Sequence, residues 1–487
     1  MIRIIISISL AAIGAVALGG VPTLAQQQPA NTQQEQPTTP IPAIRSPLAG
    51  ATDNGDADET GNSQQLTPDT RSLTGVEDLS LGTIPLTHSY WQPRASLLAN
   101  VDSNPDYSMG SSDWSTWTTL TAGVDLHRVS GFSDLMLSYT GGGMFSNGGN
   151  VENGIIQQLG LKEKLSFRRS TFSVFEQLSY LPESSFGFSG TAGASLPGSG
   201  GLSLGPGFTP GQSLLTPRGQ NLSSSTAVEY DYRLTARTSF TVLGSYALLH
   251  YSEDGLADYG DASFQAGYDY QLTRKDTVAV SYLFNAIRYS NENQSINANT
   301  IQGVYGRRVT GHLAFQVAVG PQFVSSNGPI TGSTPTSSPT TASTSSLYWA
   351  LNSSLTYQLR RALISASYNH GVTGGSGLLA GAETDIATGS VSDQVTRTFN
   401  VTWNAGYSRN SGFAVGTTAA TGQTYSYWFT GVSVTHPVGR LLDFFANYQL
   451  QYQTNNTNGC VGSGCSADVI RNQIAFGMNL HKQPIAF

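Results

Sequence analysis

Charge is scarce in this chain: Asp, Glu, Lys and Arg make up 11% of its 487 residues, against about 25% in an ordinary soluble protein. A chain this long with so few charges does not have the usual water-facing surface of several soluble domains. Cysteine is rarer still. Only Cys460 and Cys465 occur, too few for a disulfide scaffold, and with no neighbouring His or carboxylate pattern they fall short of the four ligands of a structural metal site. Long apolar runs are missing beyond the N-terminus, where nothing approaches the roughly 20 apolar residues of a spanning helix. Catalytic signatures such as His-Glu-x-x-His, the phosphate-binding Gly-x-x-x-x-Gly-Lys loop and an acidic calcium loop are missing too. The expectation is therefore no enzyme and no cofactor. A formal net charge of -7, with basic pairs confined to turns, also disfavours nucleic acid.

What fills the space left by charge is Gly, Ser, Thr, Asn and Gln, and the mean hydropathy is only -0.16. A helical membrane protein would be far more apolar, whereas strands with one face in lipid and the other in water balance near this value. The first residues carry Arg3, an apolar core from Ile4 to Leu18 and the small-x-small site Thr23-Leu24-Ala25, which predicts a signal peptide over residues 1–25, cleaved after Ala25. Residues 26–85, with QQQPANTQQEQPTTP and ATDNGDADETGNS, hold eight acidic and two basic residues. That composition cannot bury enough apolar surface to offset chain entropy, and predicts a disordered periplasmic tail.

From residue 86 to 487 the pattern is alternation in segments of about ten residues, the period-2 mark of strands with one apolar face. Leu120, Ala122, Val124 and Leu126 alternate with Thr121, Gly123 and Asp125, and Phe264 to Leu272 and Leu442 to Tyr452 repeat the pattern. The connections alternate as well. Tight cationic turns are expected at Arg168-Arg169-Ser170, Thr235-Ala236-Arg237, Thr273 to Asp276, Arg307-Arg308, Arg360-Arg361, Arg409-Asn410 and Pro437 to Arg440. Between them lie longer loops near 183–221, 252–259, 291–294, 325–345, 371–392 and 454–467. Short turns at one end and long loops at the other are the asymmetry of a transmembrane antiparallel up-and-down β-barrel in an outer membrane. The fold class is all-β, with about 18 strands (16 to 20) between Pro93 and His481, the least regular being the first strand, which carries Pro93, and a short segment from Gly412 to Thr418. Aromatic residues near strand ends, among them Tyr90, Trp91, Tyr180, Tyr251, Tyr289, Trp349, Tyr407, Tyr425 and Trp428, suit an interfacial girdle.

This arrangement, from Tyr90 to Phe487, resembles porin-like outer-membrane barrels. The end of the chain, with Ile474, Phe476, Met478 and Leu480 in alternation and Phe487 last, is similar to the C-terminal assembly signal of such proteins, although Phe487 follows Pro484 and lies off that alternation. The resemblance implies a channel for passive passage of small hydrophilic solutes, with outer-membrane lipid and the barrel-assembly machinery as partners, both termini in the periplasm, and a homo-oligomer as an option. A dedicated polysaccharide or substrate export or uptake barrel, and a surface-structural or adhesive barrel with a closed lumen, stay open beside it.

Inward-facing ionisable residues expected to line the lumen are Lys162, Lys164, Glu229, Asp231, Arg233, Asp269 and Asp443, a mixture of signs that predicts weak ion selectivity. A barrel of 16 to 18 strands is too wide for side chains to fill, so a plug or constriction would come from a loop, with 182–221 and 325–345 as candidates. Cys460 and Cys465 are expected to form a disulfide within one loop. Glu163 and Glu176 break the apolar pattern: if Phe167 pairs with Phe172, the two carboxyls lie opposite each other on the apolar face. That suggests a contact between barrels; a bulge placing them inside beside Lys162 or Lys164 is the alternative. The seven histidines, His88, His127, His250, His312, His370, His436 and His481, are spread one per hairpin, as solvated strand-end residues are.

Overall fold

A strand with one apolar and one polar face can cross a bilayer only in a sheet that closes on itself, because lipid offers no partner for an unpaired backbone N–H or C=O. The computed structural model, which describes residues 89–104, 114–148, 151–182, 219–252, 256–290, 294–329, 341–375, 379–396, 398–412, 423–456 and 468–487, is such a ring. Its strands are β1 (Tyr90–Asp102), β2 (Ser115–Ser130), β3 (Ser133–Gly148), β4 (Gly154–Ser166), β5 (Ser170–Leu181), β6 (Asn221–Arg233), β7 (Thr238–Tyr251), β8 (Tyr259–Gln271), β9 (Asp276–Tyr289) and β10 (Ser295–Arg308). They continue as β11 (Leu313–Pro329), β12 (Thr341–Gln358), β13 (Ala362–Thr373), β14 (Ala382–Gln394), β15 (Asn400–Gly412), β16 (Thr424–Val438), β17 (Leu442–Asn456), β18 (Val469–His481) and β19 (Ile485–Ala486). Each of the first seventeen pairs antiparallel with the next, and β1 pairs β18 to close the ring. The expected leader and tail, and both cysteines, lie outside the described residues.

Side-chain direction follows the alternation. Leu120, Phe264, Ile301, Leu347 and Phe476 stand out from the wall, each at least 44% exposed, while Thr121, Thr300 and Ala475 on the opposite phase are at most 5% exposed. A wall that is apolar outside and largely polar inside is a transmembrane barrel. The expected aromatic girdle divides between the two faces. Trp349, Tyr407 and Trp428 take the outward phase, whereas Tyr251 and Tyr289 turn inward and are buried.

The seam between β1 and β18 is pinned at both ends. At one end Arg471 Nε donates to Asp102 Oδ2 at 2.6 Å, with both side chains fully buried. At the other, residues 482–484 interrupt β18, and β19 resumes the pairing against Tyr90 and Trp91. This interruption shifts the parity by one residue, so Ile485 and then Phe487, whose N–H donates to Ser89 O at 3.3 Å, regain the outward phase of Trp91. The terminal aromatic that lies off the alternation in sequence is thereby restored to it in space. Pro93 is tolerated for a related reason. Its carbonyl accepts from Lys482 N at 3.2 Å, so its nitrogen points to the same side, where β18 has already ended.

Four short turns are built alike: Leu234-Thr235, Leu272-Thr273, Val309-Thr310 and Val395-Thr396. In each, the threonine hydroxyl accepts backbone N–H groups two or three residues on, as Thr235 does from Arg237 and Thr238 (both 3.1 Å) and Thr396 from Phe399 (3.0 Å). A Thr side chain thus does locally what a partner strand does elsewhere.

The fourth of these turns corrects the sequence reading. The stretch 371–392 is not one long loop, because 382–392 belongs to β14, and Arg409-Asn410 is not a turn but lies within β15. Arg307-Arg308 ends β10, one residue before its turn, and Gly412 is the last residue of β15, the remainder of the segment to Thr418 being outside the described residues.

Asp102→Ala leaves Arg471 buried without its carboxylate, and the unfolding free energy of the lipid-embedded barrel in urea should fall by about 3–5 kcal/mol. Thr396→Val, which keeps the β-branch and removes only the acceptor, should cost at most about 1 kcal/mol in the same titration.

Candidate functional site

The inner wall of the ring is the only surface the strands jointly present to an enclosed space, and its chemistry divides into two arcs. On β1 to β8 the inward positions carry most of the charge. Arg94 reaches Asp125 Oδ2 at 2.8 Å, Ser138 Oγ at 3.1 Å and Thr140 Oγ1 at 2.7 Å. It can cross to β3 because its cross-strand neighbour is Gly123, where an added Cβ would stand 3.1 Å from Arg94 Nε and 2.3 Å from Tyr139 O. His127 lies 2.8 Å from Asp134. On β12 to β15 the inward positions are hydroxyls and amides, laced across the strands: Ser365 Oγ to Ser390 Oγ and Ser367 Oγ to Thr388 Oγ1, both 2.6 Å, and Thr384 Oγ1 to Asn410 Oδ1 at 2.9 Å.

All seven ionisable residues singled out in the sequence stand on the inward phase, six of them together on β4 to β8. Lys162 sits over the Phe175 ring, 5.4 Å from its centroid, and Lys164 lies between Asp134 and Ser173 in the cross-strand row. Glu229 and Asp269 are 5% and 3% exposed. Asp231 accepts from Thr241 at 2.5 Å, and Arg233 is exposed at the end of β6 opposite Ser239. Asp443 is apart from them on β17, 2.9 Å from His481.

Sequence reasoning put Asp125 on the polar phase but passed over Arg94 and the buried Arg471–Asp102 pair, although Gln92, Arg94 and Ser96 already show the polar phase of β1 on either side of Pro93. The histidines are not simply solvated strand ends either. His127 and His370 are 2% and 7% exposed, each held by a carboxylate.

Glu163 and Glu176 both stand on the outward phase, but not opposite each other. The turn closes with Phe167 N donating to Ser170 O at 2.8 Å, which sets Phe172 against Leu165, Glu163 against Val174 and Glu176 against Leu161. No bulge interrupts this pairing, so neither carboxyl turns in toward the lysines. Each is instead braced by hydroxyls of the next strand: Glu163 by Ser133 at 3.4 Å, and Glu176 by Thr226 and by Ser224 at 3.4 Å.

Among the described residues, the element that enters the enclosed space is the β13–β14 hairpin. Pairing of β12 with β11 runs to Thr341, but pairing with β13 stops at Leu351 opposite His370. Beyond that fork the hairpin leans onto the inner face of β8 to β11. Tyr289 Oη donates to Gly374 O at 2.9 Å, Gln294 Nε2 to Ala380 O at 2.6 Å, and Val372 N to Gln322 Oε1 at 3.1 Å. Val372 joins Leu249, Tyr259, Ile287, Ile296 and Val324 in one buried apolar cluster. Gly374 is required by the approach, since a Cβ there would stand 2.8 Å from the Tyr259 ring, and Gly375 has a φ of +71°. At the fork Trp349 stacks on His370 with centroids 4.1 Å apart, and His370 Nδ1 and Tyr368 Oη both lie 2.7 Å from Asp385 Oδ1.

Of the loops 182–221 and 325–345, expected to constrict the lumen, the parts 183–218 and 330–340 lie outside the described residues, with a Gly-x-Ser-x-Gly match at Gly201 to Gly205 among them, whereas 325–329 and 341–345 are not loop but the ends of β11 and β12. The hairpin was missed because its glycines read as a mobile loop. The apolar Leu379-Ala380 after them is the signal that this part of the hairpin is buried.

No family model matches the chain, and no curated protein does. Among solved structures, it is similar to OccAB1 of Acinetobacter baumannii (TM-score 0.42, 11% identity, 82% of this chain and 97% of that one). It is also similar to OccK2 (OpdF) of Pseudomonas aeruginosa in complex with glucuronate (0.40, 10%, 81% and 98%) and to the siderophore receptor PiuA of A. baumannii (0.39, 8%, 80% and 82%). With similarities this remote, what the chain does has to be argued from its own wall.

Tyr289→Phe with Gln294→Ala removes two bonds that hold the hairpin tip inward, each worth about 1 kcal/mol. Amide hydrogen exchange at Val372 and Gly374 in the folded barrel should speed up; rates identical to the parent would show that the hairpin is held by other contacts.

Proposed function

We propose that the protein is an outer-membrane channel through which small hydrophilic solutes pass down their gradients. The observation that carries this reading is a closed ring of eighteen strands whose inner wall is polar and only half-buried along β12 to β14, as at Ser354, Ser365, Ser367, Thr388 and Ser390. Side chains fill a ring of about 8 strands, whereas one of 16 to 18 leaves an aqueous passage. The inward-leaning hairpin narrows that passage on one side. Arg94, Lys162, Lys164 and Arg233 share the arc from β1 to β8 with Asp125, Asp134, Glu229, Asp231, Asp261 and Asp269, a mixture of signs with a small excess of carboxylates. This mixture supports weak ion selectivity and counts against a dedicated exporter of polyanions, which calls for an excess of cations along its path.

In this reading the short Thr-braced turns, β19 and both chain ends face the periplasm, and the longer connections face outward. The outward carboxyls of Glu163 and Glu176 stand where lipid would otherwise meet them, and a carboxyl in lipid is costly even when hydrogen-bonded. A second copy of the chain against β4 and β5 would cover them.

Folded, heat-modifiable protein inserted in a planar bilayer should give discrete current steps in KCl with modest preference between K⁺ and Cl⁻. Absence of steps from correctly folded barrel would sink the channel reading. Separately, Glu163→Leu with Glu176→Leu should leave the barrel folded and change its oligomer size in mild detergent; an unchanged size would refute the contact.

A further inference from the structure

The neutrality of one arc of the wall is not a shortage of charge in the strands that build it. Strands β9 to β16 contain Asp276, Arg288, Arg307, His370, Glu383, Asp385, Asp393 and Arg409, and all eight of these stand on the outward phase toward strand ends. On the inward phase of the same eight strands, among the described residues, the one charged side chain is Arg308, the last residue of β10. That uncharged face is apolar in part on β9 to β11, where Ile287, Ile296, Val304 and Val324 point inward, and becomes a surface of hydroxyl and amide groups on β12 to β15.

The centre of that surface is ordered. Thr356, Ser365, Ser390 and Asn404 form one cross-strand row, and Ser354, Ser367 and Thr388 form the row beside it. The two internal 2.6 Å contacts, Ser365–Ser390 and Ser367–Thr388, fix the hydroxyls in place. A paired hydroxyl still has acceptor capacity to spare, and one member of each pair keeps its own hydrogen to donate. Successive strands are about 4.8 Å apart, so the rows repeat donors and acceptors on the scale of a single sugar ring.

Against such a surface a neutral polyol exchanges hydrogen bonds with water for equivalent ones with the wall, at little net cost. An ion that gives up hydration there gains no opposite charge in return. On the facing arc cations and carboxylates are interspersed, as Arg94 is with Asp125, and the small excess of carboxylates there lies on other strands than the track.

Resting on the channel reading above, we infer that the inner face of β12 to β15 is a binding track for uncharged polyhydroxylated solutes, sugars or polyols, and that it gives them an advantage over charged analogues of the same size. The step is binding and passage only, with no bond made or broken.

The test uses the full chain, folded in liposomes and in planar bilayers, with labelled glucose, glucuronate and glucosamine as probes. Current steps in KCl first establish an open channel. Glucose uptake at least about threefold faster than that of either charged analogue supports the track. Equal rates, or faster uptake of the acid or the amine, overturn it while leaving the channel reading intact. No current steps and no uptake overturn both. Ser367→Asp, which puts a charge at the centre of the track, should bring the uptake ratio to about one in barrels that remain heat-modifiable. Ser365→Ala with Ser367→Ala, a milder change that any folded barrel should accommodate, should reduce the ratio by at least half. An undiminished ratio in folded protein of either variant would overturn the assignment.

Discussion

Closure between the first and last strands is the interaction on which everything else in this molecule depends. Inside a bilayer every backbone N–H and C=O needs a partner from the chain itself, and only β1 meeting β18 leaves the sheet without an edge. The seam is accordingly reinforced where it would fray: by the buried Arg471–Asp102 pair at one end, and by β19 running past the break at 482–484 at the other. An even-stranded ring also puts both ends of the barrel segment on one rim, beside the short turns.

Once the ring is closed, each side chain has two choices, in or out, and the positions of charge become a matter of parity. The outward choice is expensive for a carboxylate in lipid, and Glu163 and Glu176 answer that cost with hydroxyls from neighbouring strands. The inward choice is cheap, yet β9 to β16 scarcely use it for charge. Because the same strands place charge outward near their ends, the neutrality of their inner face is a property of the arrangement and not of composition.

Much of this was legible in the sequence because large outward residues mark the phase. Leu120, Phe264 and Phe444 announce their strands, and the strand count and the lipid-facing stripes follow. β14 was illegible for the same physical reason. Its outward residues are Glu383, Asp385, Ala387, Gly389, Val391 and Asp393, small or charged, with the covering apolar surface supplied by neighbours: Tyr407 lies opposite Ala387, Trp403 opposite Val391, and Tyr368 donates to Asp385. A strand whose lipid face is provided by adjacent strands carries no alternation of its own. Val395-Thr396, repeating Leu234-Thr235, Leu272-Thr273 and Val309-Thr310, marks the end of that strand without reference to hydropathy. The register of the Glu163 and Glu176 hairpin turned on which residues close its turn, a two-residue difference that composition does not encode.

The fork at Leu351 and His370 shows how far the closure constraint can be relaxed. Above that point β13 gives up its ladder with β12, and its backbone groups must find partners elsewhere. Gln322 takes the N–H of Val372, Tyr289 and Gln294 donate to the carbonyls of Gly374 and Ala380, and Val372 and Ala380 pack into the apolar cluster on the inner wall. Side chains of β9 to β11 therefore replace the missing strand. The hairpin can leave the wall only in the inward direction, where such partners exist; outward lies lipid, which offers none. The rule that closes the ring thus also dictates that the element leaving it enters the passage, and the hydroxyl track on β12 to β15 begins directly beneath that element.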